Sequence, residues 1–171
     1  NSHPWNGLGN LYKNHFSRYE ESEKAYLKSI ELDPKNARPW NGLGNLYRDY
    51  LSGYKDSEKA YLKSIELDPK YSSPWCGLGN LYQYNLERYK DSERVYLKAI
   101  ELNAEENVYW YNLGNLYQDH LSRYEESEKA YLKAIELDAN DGDGWNGLGN
   151  LYQNCLSRYE ESEKAYLKAI E

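Results

Sequence analysis

The 171 residues carry 21 Lys and Arg against 28 Asp and Glu, a net charge of −7, with 20 Tyr and no Met. Such a chain lacks the basic stripe that nucleic acid requires, and no apolar run reaches the roughly 18 residues that span a bilayer. Neither nucleic acid nor a membrane is therefore expected as a partner. Cys76 and Cys155 lie too far apart in sequence and pattern to be matched as a disulfide, which suits a reducing, cytoplasmic setting. The chain begins Asn1-Ser2-His3-Pro4 without Met and stops at Glu171 inside a motif. This reads as a segment cut from a longer array.

Trp5, Trp40, Trp75, Trp110 and Trp145 fall at a constant interval of 35 residues. A period of that length marks one supersecondary unit copied along the chain. The repeats run over approximately 2–36, 37–71, 72–106, 107–141 and 142–171, the last one truncated. Each opens with Trp-x-x-Leu-Gly-Asn-Leu-Tyr, and Trp5, Leu8, Tyr12 and Phe16 follow helical spacing. Pro4, Pro39 and Pro74 suit a first helical turn, and Asp141 supplies a capping carboxylate in the fifth copy. Gly9 and its equivalents sit mid-helix, where Gly costs about 1 kcal/mol against Ala. Their presence in every copy predicts a neighbour packed close to the backbone.

A second helix follows, with Ser22, Ala25, Tyr26, Ser29 and Ile30 on one face. Ser17 and Glu20 match a capping box, repeated by Ser122 with Glu125 and Ser157 with Glu160. Glu20 with Lys24, Glu125 with Lys129 and Glu160 with Lys164 are spaced for one-turn ion pairs. Asp33-Pro34 and Asp68-Pro69 end the helix in the first two copies. Fifteen of the tyrosines recur at three fixed places, which makes them architectural.

Trp5, Leu8, Gly9, Tyr12, Ser22, Tyr26 and Pro34 resemble the tetratricopeptide repeat pattern, with Ser22 where that family usually has Ala. The resemblance covers essentially the whole chain and implies an all-α, right-handed superhelical solenoid of five helix-turn-helix repeats. The family repeat is 34 residues, so one extra residue falls between Tyr12 and Tyr19. Phe16, Leu51, Leu86, Leu121 and Leu156 occupy that region, which predicts a lengthened first helix or an apolar plug, and with it an altered superhelical pitch.

Catalytic chemistry is not expected. No phosphate-binding Gly-rich loop is present, His3, His15 and His120 do not cluster, and neither Cys has a companion at ligand spacing, so no metal or cofactor is implied. His15, Tyr50, Asn85, His120 and Cys155 share one place in successive repeats and form a row.

The resemblance implies a concave groove lined by the first-helix face opposite the Trp stripe. Asn10, Asn45, Asn80, Asn115 and Asn150 form an invariant row there. Their amides can pair with the backbone of an extended peptide, or else tie the repeats together. Lys13 and Arg48 make the early part of the groove basic, whereas Gln83, Gln118 and Gln153 are neutral. Tyr84, Tyr111 and Asn112 depart from the repeat and are candidate contacts, Tyr being a favoured anchor. The Lys and Arg of the family's chaperone-type carboxylate clamp are missing. The reading is a protein-binding or peptide-binding scaffold, with head-to-tail self-association or a regulatory arm of a larger protein as alternatives.

Overall fold

The periodicity becomes ten helices in a computed structural model that describes residues 2–170. Each repeat contributes a first helix and a second: α1 (His3–His15) and α2 (Tyr19–Leu32), α3 (Ala37–Asp49) and α4 (Tyr54–Leu67), α5 (Ser72–Tyr84) and α6 (Tyr89–Leu102), α7 (Asn107–Asp119) and α8 (Tyr124–Leu137), α9 (Gly142–Asn154) and α10 (Tyr159–Ile170). The fold is an all-α solenoid of helix-turn-helix repeats. The helices gather into two compact units, Asn1–Glu87 and Arg88–Glu171.

Inside each unit the packing turns on one tyrosine per repeat. Tyr26 is fully buried, and a Cβ built on Gly9 or on Gly42 would lie 2.6 Å from its ring. One face of the ring thus rests on α1 and the other on α3, and only glycine leaves room on both sides. Tyr61 is held in the same way between Gly44 and Gly77, and Tyr131 between Gly114 and Gly147. Below these rings, Ser22, Ser57, Ser127 and Ser162 donate hydrogen bonds of 2.8–2.9 Å to the carbonyls of Gly9, Gly44, Gly114 and Gly149. The hydroxyl that replaces the family's usual Ala methyl binds the two helices of a repeat together.

Successive repeats are strapped on the other side. The hydroxyls of Tyr82, Tyr117 and Tyr152 donate to Glu58, Glu93 and Glu128 at 2.8, 3.0 and 2.7 Å, and Tyr47 does the same to Glu23. In the second unit Arg123 and Arg158 lie 4.3 Å over the rings of Tyr117 and Tyr152 and pair with the same carboxylates.

The core keeps two places of the expected stripe, Leu43, Leu78, Leu113 and Leu148 at that of Leu8 and Tyr82, Tyr117 and Tyr152 at that of Tyr12, but turns away from the tryptophans. Leu46, Leu81, Leu116 and Leu151 are fully buried, whereas Trp5 is exposed and the other four tryptophans are only partly buried. Trp110 and Trp145 instead donate their indole N–H to the carbonyls of Ala104 and Ala139, 2.9 and 3.0 Å away. They clip the loop between repeats to the helix that follows it.

Three local readings need correction. Ser17, Ser52, Glu87, Ser122 and Ser157 do not cap a helix; all five have φ of 51–54°, in the left-handed region. Arg18, Gly53, Arg88 and Arg123 take the N-cap place, and none of them caps the helix with a side-chain hydrogen bond. The turn closes by long-range backbone bonds such as Leu51 N–H to Leu46 O and Gly53 N–H to Tyr47 O, and this is where the extra residue is accommodated. The first helix is not extended through it; Phe16 and Leu51 are exposed, whereas Leu86, Leu121 and Leu156 are partly buried, Leu156 against the core cluster of Tyr131, Leu148 and Leu151. The ion pairs expected four residues apart also give way to pairs three apart, Lys28 with Glu31, Lys63 with Glu66, Lys98 with Glu101 and Lys133 with Glu136, each 2.8 Å. Being exposed, they contribute little.

A left-handed conformation costs a bulky residue about 1–2 kcal/mol that glycine escapes. Replacing Glu87 with Gly is therefore expected to raise stability by about 0.5–1 kcal/mol once the greater freedom of the unfolded chain is offset. A lowered denaturation midpoint would contradict this account of the turn.

The buried phenols also set a pH limit. Burial pushes Tyr26, Tyr117 and Tyr152 up from 10.0 to about 12, and Glu93 and Glu128 reinforce the shift for the latter two. A group whose proton is held more tightly when folded gives stability that is whole below its unfolded value and lost above it. Unfolding followed by circular dichroism should therefore set in between pH 10 and 12, alongside phenolate absorbance. Ionisation of all 20 tyrosines without loss of helical structure would contradict the burial.

Candidate functional site

The Asn row is held by the same tyrosines that fill the junctions. The hydroxyls of Tyr26, Tyr61, Tyr131 and Tyr166 donate to Oδ1 of Asn10, Asn45, Asn115 and Asn150 at 2.6–2.7 Å. In each pair the tyrosine comes from the second helix of the repeat and the asparagine from the first. Because the hydroxyl occupies Oδ1, the amide orientation is fixed and Nδ2, a donor of two hydrogens, is the group left over. The row that the sequence offered as both donor and acceptor is thereby polarised towards donation.

In the first unit this row borders a cavity of about 300 Å³, lined by Asn6, Asn10, Arg38, Asn41, Gly42, Asn45 and Tyr71. Asn41 donates to the Tyr71 hydroxyl at 3.3 Å, while its own Oδ1 is buried without a hydrogen-bond partner. Arg38 and Tyr71 were not foreseen as site residues. Their signal was faint: position 38 corresponds to His3, Ser73, Val108 and Asp143 in the other repeats, so it looked merely variable.

The remaining candidates divide by exposure. Arg48 is drawn back: it bonds the Asp49 carboxylate with two nitrogens, at 2.6 and 3.1 Å, and the Gly77 carbonyl with a third at 3.1 Å. Lys13 is partly buried, and this desolvation holds its pKa below the usual lysine value, partly countered by Asp49. Gln83 and Asn112 are buried, whereas Tyr84 stands exposed and Asn80 partly so. Tyr111 is partly buried, its ring 6.0 Å from that of Tyr131. Gln118 and Gln153 lie 3.2 and 2.9 Å from the hydroxyls of Tyr131 and Tyr166, whose single hydrogen they share with Asn115 and Asn150.

Charge differs between the units along these positions. The first holds Lys13, Arg38 and an Arg48 neutralised by Asp49; the second has neutral Gln118 and Gln153 at the place of Lys13 and Arg48, Asp143 at that of Arg38, and Asp119, at the place of Asp49, with no Arg before it. A separate apolar cavity of about 510 Å³ in the second unit lies among Leu132, Trp145, Leu148 and Leu167, and no residue of the Asn row lines it.

Comparison with solved structures gives the fold. The chain superposes on PilF of Pseudomonas aeruginosa with a TM-score of 0.88 at 18% identity, covering 99% of this chain and 75% of that one. It matches MamA at 0.78 and 22% identity, covering 95% and 92%. It also matches YrrB, described as a TPR protein with an unusual peptide-binding site, at 0.69 and 22% identity, covering 99% and 85%. No curated protein matches by sequence. Family models do: one described as a TPR repeat matches residues 17–49, and others described as a tetratricopeptide repeat match 108–141 and both 60–94 and 130–164. With the helix pairs, the Gly-Tyr junctions and these matches together, the chain belongs to the tetratricopeptide repeat family.

Proposed function

We propose that this protein is a non-catalytic interaction scaffold whose Asn row binds an extended peptide segment. The observation that carries the reading is the tyrosine latch. A row of amides fixed in orientation, each presenting Nδ2, suits a run of carbonyl or carboxylate oxygens, which a peptide backbone supplies at every residue. Solved tetratricopeptide structures include one described as peptide-binding, YrrB, which supports the class of partner. In the first unit Lys13 and Arg38 add positive charge beside the row, so segments with Asp or Glu there are favoured. In the second unit Asp119 and Asp143 disfavour them.

Asparagine cannot simply be truncated to test this, because Ala would strand the tyrosine hydroxyl and lower stability. Asp at the same place keeps an acceptor for the hydroxyl and removes the donor. Asn45→Asp is therefore expected to leave the melting temperature nearly unchanged and to weaken binding of acidic extended peptides. The loss from the hydrogen bond alone is about five- to tenfold. Fluorescence anisotropy with labelled acidic and basic peptides would read this. Undiminished binding of the acidic peptide to Asn45→Asp would remove the Asn row from the interface.

A further inference from the structure

The second helices carry a leucine at one fixed place that the packing of repeats leaves open. Leu27, Leu97 and Leu132 are 46%, 45% and 45% exposed, although a further repeat follows each of them within its unit. The opening is thus a property of the repeat. In the second unit Leu132 of α8 and Leu167 of α10 line the cavity of about 510 Å³, together with Trp145 and Leu148 of α9. That volume falls in the range of small-molecule sites, which are apolar with a few polar groups that orient the ligand.

Most polar groups of the wall are engaged elsewhere. The Tyr152 hydroxyl donates to Glu128 at 2.7 Å, the Trp145 indole to the Ala139 carbonyl at 3.0 Å, and Glu161 pairs with Arg158 at 3.1 Å. Lys164, exposed at the rim, has no ion-pair partner among the described residues, and Lys168 adds a second ammonium there. The second repeat differs at this point. Gly53 stands at the place of Arg158, and Asp56, at that of Glu161, pairs with Lys59 at 3.0 Å.

A wall that is apolar except for cations at one edge suits a ligand divided in the same way. We propose that this groove binds a free fatty acid, its acyl chain against Leu132, Trp145, Leu148 and Leu167 and its carboxylate at Lys164. Removal of the chain from water supplies most of the affinity, and the ammonium fixes which end lies at the rim. No residue of the Asn row lines the groove, so the site stands apart from the peptide-binding reading.

Heteronuclear NMR of the 171-residue protein, with decanoate added below its micelle-forming concentration, tests this through the five indole N–H signals. The Trp145 signal should shift and saturate. The Trp40 signal should need several-fold more decanoate, because Lys59 at the equivalent place is paired. Lys164→Gln should weaken decanoate by about two- to fivefold, the range for an exposed charge pair, and leave binding of decan-1-ol unchanged. Leu132→Gln together with Leu167→Gln, both at half-exposed places, should abolish saturation while the circular dichroism spectrum stays that of the parent. A Trp145 signal that fails to saturate would overturn the proposal. So would equal response of Trp40 and Trp145, or undiminished binding of decanoate to Lys164→Gln, either of which reduces the groove to apolar adsorption. A shift of Trp145 by an amphipathic helical peptide carrying Leu and Glu, and not by decanoate, would assign the groove to a protein helix instead.

Discussion

Tyr61→Ala is expected to destabilise the protein by about 3–5 kcal/mol, the range for emptying a buried aromatic site. The ring is fully buried, and a Cβ on Gly44 or Gly77 would stand 2.6 or 2.5 Å from it. Its neighbours are thus backbone on both sides, and helices cannot collapse into the space without moving whole repeats. The hydroxyl adds a 2.7 Å bond to Asn45. Tyr61→Phe keeps the ring and loses only that bond, so about 1 kcal/mol is expected. In a stacked array the ring belongs to a nearest-neighbour interface, so its loss should also broaden the unfolding transition by uncoupling repeats. Chemical denaturation of both variants reads the difference. Equal losses would mean that the hydroxyl, not the ring, holds the junction.

Leu46→Ala is the second large effect, again about 3–5 kcal/mol. Leu46 is fully buried in a cluster with Tyr26, Leu43 and Ala60, against which Trp40 packs from the partly exposed side. Trp75→Ala should cost less than Leu46→Ala despite the larger side chain, about 1–2 kcal/mol, because truncation of a partly exposed ring leaves water rather than a void. Its indole N–H reaches the Pro69 carbonyl only at 3.4 Å. Thermal melts of the two variants side by side decide the order. A more damaging Trp75→Ala would return the tryptophans to the core.

Internal repetition made the architecture legible. Five aligned copies separate architectural residues from the rest without any relative, and the mid-helix glycines announced a close approach that Tyr26 and Tyr61 duly make. The core stripe was right at the places of Leu8 and Tyr12 and misplaced at the tryptophans, for a physical reason. Periodicity counts apolar side chains, and the face that packs between repeats is built from Gly42, Leu43, Gly44 and Leu46, two of them without a side chain to count. The stripe drifted towards the conspicuous tryptophans instead. Ser17 and Glu20 deceived in a related way. The spacing matches a capping box, but the residue's φ of 52° is set by a turn one residue longer than the family's. No local pattern reports that.

The candidate site was half legible. The Asn row could be read because it is invariant, but its polarity depends on a hydroxyl sixteen residues further along the chain. Arg48 illustrates the converse. Its charge was visible, yet its neutralisation by the adjacent Asp49 depends on side-chain geometry. Arg38 entered only through the cavity it lines.

The ring shared by two glycines has an outcome for the gene as well as for the protein. Because Tyr26, Tyr61 and Tyr131 each meet the same small residues before and behind, any repeat in this set can follow any other without a mismatch at the ring. Insertion or loss of a 35-codon block by unequal recombination would regenerate the seam it cuts. The length of the array is therefore free to vary in whole repeats, while a change of even one residue within a repeat is resisted on both of its sides.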